Sequence, residues 1–191
     1  MTYIKTGLQA PGIIELLFYK NSTGTALSNL AHTLLLGPSP LSPGEREMIA
    51  AYVSHLNNCE FCHHSHCAAA TAHLEDNGET MKAIFGYPDL VTVSEKFNRL
   101  LNIAFKVQSG GKTVLPADIE AAKQAGATDE EIHDTVLIAA AFCMFNRYVD
   151  GLGTIPAAKH EYAEMGRRMK KGYKLPPWII RKLITSRMKI K

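Results

Sequence analysis

Cys59, Cys62 and His66 stand at i, i+3 and i+7 in the stretch NNCEFCHHSHC. On a helix this spacing puts all three on one face, about a turn apart. Asn57 and Asn58, poor helix formers just before them, suit a break followed by a new N-terminus, so both cysteines would fall in a first helical turn. Unpaired N–H groups and the helix dipole there stabilise a thiolate and lower its pKa. His66 could take the thiol proton or stabilise the anion. Two thiols one turn apart can also close a disulfide, which makes them a redox couple suited to peroxide reduction. One thiolate attacks a peroxide oxygen, and the other resolves the sulfenic acid.

Two other readings stay open on these residues. Cys59, Cys62, His66 and either His63 or Cys67 could ligate zinc, although structural zinc sites draw their second ligand pair from a distant segment and no second C-x-x-C or H-x-x-x-H follows. The cysteines could also be inert core residues. A thioredoxin-like arrangement is disfavoured, because no βαβ pattern flanks the motif. Twelve residues before Cys59 stands Glu47, which could reach His66 and relay a proton if the chain doubles back at Asn57-Asn58. Taken alone, a glutamate near a helix start is first a surface residue that compensates the dipole. His63, at i+4 from Cys59, could flank that thiol, His64 should point away, and Cys67 reads as a small packing residue. His32, His55, His73, His133 and His160 have no motif around them.

The elements that must position these groups read as helices. Apolar residues recur at three and four over 13–20 and 25–36, and GPSPLSPG (37–44) breaks the pattern. Ser42, Pro43 and Glu45 then make a capping box with a first-turn proline, opening a helix that runs to Asn57-Asn58. The Cys59 helix should end near Gly78, with a short one over MKAIFG. A helix over 94–107 starts at Ser94, another follows in PADIEAAKQAG with Gly126 as its cap, and Thr128 with Glu131 opens a long helix through Gly151. Helices over 157–171 and from 177 onward finish the chain. No stretch alternates with period two, so the expected class is all-α.

A second pattern lies inside that long helix. Glu131 precedes Cys143 by twelve, with Asn146 at +3 and Asp150 at +7, repeating the spacing Glu47–Cys59–Cys62–His66 with other chemistry. Two related helical halves would account for it. Asn146, Arg147 and Asp150 interrupt an apolar run and should form a hydrogen-bond network.

The 191 residues suit one domain. The longest apolar run, Val136 to Phe145, is about half of a membrane span, and no secretory signal is evident, so a cytoplasmic protein without a disulfide framework is expected. The net charge of +3 is unevenly spread: residues 1–166 carry −7 and residues 167–191, with ten Lys and Arg and no acid, carry +10. The division expected is a helical domain over 1–166 and a basic C-terminal arm over 167–191. The arm has an apolar stripe of Trp178, Ile179, Ile180, Leu183, Ile184 and Met188, a pattern able to bind anionic membranes, nucleic acid or an acidic partner. With an acidic body available, docking on the body or on a neighbouring subunit is the reading taken, with neither nucleic acid nor membrane as partner.

Glu47, eleven residues, Cys59-x-x-Cys62, three residues and His66 resemble the core signature of the alkylhydroperoxidase AhpD family, within the carboxymuconolactone decarboxylase-like superfamily. LSPGEREMIAAYVSHLNNCEFCHHSH is similar to its helix–break–motif segment, and ATDEEIHDTVLIAAAFCMFNRYVDGLG to a later helix of its peroxidase-related branch. The resemblance spans residues 10 to 160. It implies an AhpD-like all-α fold and an enzyme, a thiol peroxidase. Cys62 would attack the peroxide, Cys59 resolve it, His66 act as base and Glu47 as its relay partner. No metal or organic cofactor is implied, only a hydroperoxide and a dithiol or thioredoxin-like electron donor, in a homo-oligomer (trimer or hexamer). The alternatives are a non-redox, zinc-stabilised oligomeric binding protein and a protein disulfide reductase. One departure is Phe61 between the cysteines, where characterised members can carry a histidine or a small polar residue.

Overall fold

The computed structural model describes residues 2–86 and 93–189, with Ala83, Gly86 and Trp178 described by their backbone alone. Among the described residues the regular elements are helices joined by turns and loops, with an isolated antiparallel bridge between Leu8 and Lys189 and no strand, so the expected all-α class is found. The helices are α1 (Ile13–Tyr19), α2 (Asn21–Leu36), α3 (Pro43–Leu56), α4 (Glu60–Leu74), α5 (Glu79–Gly86), α6 (Glu95–Ser109), α7 (Pro116–Gln124), α8 (Asp129–Gly151), α9 (Tyr162–Lys171) and α10 (Trp178–Met188). None of the described helices is long and apolar enough to cross a membrane.

The starts of the two central helices are fixed locally. Ser42 Oγ accepts the Glu45 amide, and Glu45 Oε2 accepts the Ser42 amide at 2.8 Å. Thr128 and Glu131 do the same at α8, with bonds of 3.1 and 2.7 Å. Each box satisfies two amides that a bare helix end leaves unpaired. Buried Arg46 then reaches back to the carbonyls of Leu34 and Gly37 at the end of α2, at 3.1 and 2.8 Å. Elsewhere the sequence boundaries shift. α2 begins four residues before the expected 25, α4 stops at Leu74 rather than near Gly78, and α9 begins at Tyr162 after a 3-10 turn.

The break at Asn57-Asn58 is where expected, with Asn58 left-handed at φ 56°. It is held by a polar chain across three helices. Gln108 donates to Asn57 Oδ1 at 3.0 Å, Asn57 to Asn146 Oδ1 at 2.8 Å, and Asn146 to Ser54 Oγ at 3.0 Å. α3 and α4 fold back on one another there, and their inner faces join α6 and α8 in the main apolar core around Ile49, Val53, Leu100, Ile138 and Phe142. A smaller cluster of Cys59, Phe61, Cys62, Val149 and Tyr162 lies at the N-terminal end of α4, beside α1 and α9.

Two glycines let backbones close on α4. Gly12, at φ 53°, lies under the Phe61 ring, where a Cβ would come within 2.2 Å of it. At Gly166 a Cβ would meet the Ala68 backbone at 2.4 Å, so α9 can lie directly on α4. The division expected after residue 166 therefore falls inside a continuous helix. Beyond α9 the chain returns over α2. The Leu175 amide donates to Ser28 Oγ at 3.3 Å, Arg181 donates to Thr25 Oγ1 at 2.9 Å, and the Gln9 amide meets the Met188 carbonyl at 2.7 Å. The apolar stripe of α10 is largely unpartnered in the single chain, with Ile179, Ile180 and Leu183 exposed; the Trp178 side chain lies outside the described residues.

Candidate active site

Helix α4 supplies the floor of the site. Cys59 is its N-cap in extended conformation, and Cys62 and His66 lie one and two turns along the same face. That face opens on a cavity of about 420 Å³ whose walls come from α1 (Ile13, Leu17), α8 (Phe142, Phe145) and α9 (Met165, Met169). Cys62 and His66 both line it, and Cys59 lies below, fully buried.

Glu47 is fully buried, which overturns the reading of it as a solvated surface residue. Its Oε2 bonds His66 Nδ1 at 2.7 Å, while the Tyr173 hydroxyl donates to Oε1. Both carboxylate oxygens are thus satisfied, as a buried charge requires. The His66 ring meets two aromatic rings, Phe142 edge-on (centroids 4.6 Å, 86°) and Tyr173 in near-parallel orientation (6.1 Å, 11°). With Nδ1 committed to Glu47, Nε2 is the ring nitrogen left for other chemistry. Burial, reinforced by the Glu47 charge, pushes the Tyr173 hydroxyl well above its ordinary range, so it stays a donor.

The two motif cysteines are not equivalent. The Cys59 thiol is pushed far up by its hydrogen bond with Cys62 and then by burial, with Asp150 adding a further hydrogen bond. The lowered pKa expected for both cysteines at a helix start therefore fails for Cys59. It sits at the cap, not inside the first turn, and it is tied to a second sulfur in an apolar pocket. All four cysteines are free thiols.

His63 does not flank Cys59 through its ring nitrogens. Nδ1 faces the Ala51 carbonyl at 3.3 Å and the Cys67 sulfur at 3.5 Å, and the ring packs on His55, His64 and Phe85. Burial lowers its pKa to about 4, and burial raises Cys67 to about 12. The fourth zinc ligand suggested by the spacing is thus turned away from the cavity, and among the described residues no group of three or more His, Cys, Asp or Glu is arranged to hold a metal.

The residues of the second pattern lie in three places. Glu131 pairs with Lys96 at 2.5 Å, Asn146 belongs to the chain that holds the α3–α4 break, and Asp150 faces Cys59. Arg147 is exposed and bonds the Cys143 carbonyl. Unlike α3–α4, α8 is continuous across its corresponding stretch. Sequence reasoning missed Tyr173. It lies 126 residues from Glu47, in a segment read as a basic arm, and no local spacing links the two.

Residues 22–87 match the model of the Carboxymuconolactone decarboxylase family. An uncharacterised peroxidase-related protein from Silicibacter sp. TM1040 superposes with a TM-score of 0.72 at 27% identity, over 82% of this chain and 81% of that one. An alkylhydroperoxidase AhpD core from Ralstonia eutropha JMP134, also described as an uncharacterised peroxidase-related protein, gives 0.72 at 28% identity over 83% and 82%. No curated protein matches in sequence.

Proposed function

We propose that this chain, an AhpD-like protein of the carboxymuconolactone decarboxylase superfamily, is a thiol peroxidase that reduces hydroperoxides through Cys62 and Cys59 without a metal or organic cofactor. The observation that carries the reading is the asymmetry of the pair. Cys62 shares the cavity with His66, and Cys59 lies beneath it as a hydrogen-bonded thiol.

His66 Nε2 takes the Cys62 proton while Glu47 holds Nδ1. The thiolate attacks the terminal peroxide oxygen, an S–O bond forms as the O–O bond breaks, and His66 returns the proton to the alkoxide that leaves as alcohol. Cys59 then attacks the Cys62 sulfenic acid. The S–O bond breaks, water leaves with the Cys59 proton, and the disulfide closes. A dithiol donor supplies two electrons and two protons to restore both thiols. The apolar walls favour an organic hydroperoxide over hydrogen peroxide, because they offer few polar groups to replace the hydration of the smaller substrate.

Exposed Phe105, Leu137 and Met144 provide apolar surface for assembly with further copies of the chain, and a trimer or hexamer in the cytoplasm is part of the same proposal, checked by light scattering. The chemistry is tested by counting thiols before and after one equivalent of cumene hydroperoxide. Both thiols of the pair should be lost, with no loss in Cys62→Ser and wild-type behaviour in Cys67→Ser. Stoichiometric bound zinc with every thiol retained overturns the proposal.

A further inference from the structure

We infer that Tyr173, delivered by the C-terminal arm, is a positioning residue for the Glu47–His66 pair, so that the arm is part of the site and not only a docking segment. This rests on the peroxidase reading for its catalytic meaning, but its geometry stands apart from it.

Three observations converge on Tyr173. Its hydroxyl donates to Glu47 Oε1, its ring lies parallel to His66, and its surroundings keep the hydroxyl protonated. A buried carboxylate with one oxygen unsatisfied would turn toward any donor or take up a proton itself. With Tyr173 holding Oε1, Oε2 remains directed at His66 Nδ1, which keeps Nε2 as the free nitrogen. The ring supplies a second contact, since Tyr173 lies nearly parallel to His66 while Phe142 packs on it edge-on.

The arm that brings Tyr173 in is anchored on both sides of it. Lys170 Nζ donates to the Ala72 carbonyl at 2.8 Å and pairs with Glu75 at 2.7 Å, and beyond Tyr173 the arm is tied to Ser28 and Thr25 of α2. Met169, Gly172, Tyr173 and Leu175 also form one wall of the cavity, so the same segment closes the chamber and completes the relay.

The test is the rate of Cys62 alkylation in the reduced protein as a function of pH, read at the Cys62 peptide by mass spectrometry, alongside hydroperoxide turnover. For Tyr173→Phe the alkylation rate at neutral pH should fall about tenfold, and the pH at which Cys62 becomes reactive should rise. 3-Fluorotyrosine at position 173, a stronger donor that preserves the packing, should move that pH the other way and keeps the test usable if Tyr173→Phe folds poorly. Arg181→Ala, which loosens the arm without touching Tyr173, should lower the melting temperature and shift the pH profile in the same direction as Tyr173→Phe but by less.

A Tyr173→Phe profile superimposed on wild type overturns the inference and assigns Tyr173 a packing role alone. If wild type turns over no hydroperoxide while the alkylation profile still moves with Tyr173, the peroxidase reading fails and the positioning role stands.

Discussion

Helix α4 carries two cysteine–histidine pairs at the same four-residue separation, Cys62 with His66 and His63 with Cys67, offset by one residue and meeting different surroundings. The first pair opens on a cavity, and its histidine is bonded to a buried carboxylate. The second faces α3 and Phe85, and its histidine finds a backbone carbonyl and the Cys67 sulfur. Apolar burial without a charged partner drives both members of this second pair toward their neutral forms, with His63 at about 4 and Cys67 at about 12. A cysteine four residues from a histidine is therefore not in itself a reactive unit. In the proposed peroxidase, the carboxylate that makes such a pair reactive comes from another helix.

The largest expected effect breaks the comparison at its charged partner. Glu47→Gln or His66→Asn should slow hydroperoxide reduction about 10²- to 10³-fold, the usual scale for losing a positioned acid–base group, while His63→Asn leaves turnover unchanged. Steady-state kinetics on the three purified variants decides it. Equal losses at His66 and His63 would mean that the two faces of α4 do not differ in chemistry.

A smaller effect concerns the break that lets α4 turn its faces. Asn146→Ala removes the partner of both Asn57 and Ser54 and should cost about 1–3 kcal/mol in urea unfolding, the penalty of stranded buried polar groups. The same substitution should lower Cys62 reactivity and leave Cys67 as slow to alkylate as before. A stability loss with no change at Cys62 would separate the break from the site.

The smallest effect is a slope in the stability curve. The His63 pKa is depressed on folding from 6.5 to about 4, so its contribution is complete above 6.5 and is lost as pH falls through about 4. His63→Gln should flatten unfolding free energy against pH across that window, measured by denaturant titration. Cys67 is the mirror case at alkaline pH. Its value rises from 9.0 to about 12, so its contribution holds below 9.0 and is lost as pH climbs toward 12. Native-state alkylation of Cys67 should stay slow until that range is approached.

Most of the helical framework was legible in the chain. The capping boxes at Ser42–Glu45 and Thr128–Glu131, the break at Asn57-Asn58 and the shared face of Cys59, Cys62 and His66 depend on residues within one or two turns of one another, and local hydrogen bonding settles them. Where the α4 boundary slipped, a cap not read from the sequence ended the helix: Asp76 accepts the Gly78 and Thr80 amides just beyond α4. α4 stops at Leu74 with Glu75 left-handed, although the polar stretch up to Gly78 read as its continuation. The site was legible only in its types. Spacing put Cys59 and Cys62 on equal terms, and the fold separated them by aiming one at a cavity and burying the other against a second sulfur and Asp150.

The sequence by itself determined the class, the helix that carries the thiols and the cast of residues able to do redox chemistry, because periodicity and capping act over three or four residues. Only the tertiary structure decided that Glu47 is buried against His66, that His63 is spent on a carbonyl, and that Tyr173 returns from a basic arm to hold the carboxylate. Those outcomes depend on which side chains share one desolvated pocket. Across 19 and 126 residues of separation no periodicity carries that information, and only the packing of α3, α4, α8 and the arm around a common cavity sets it.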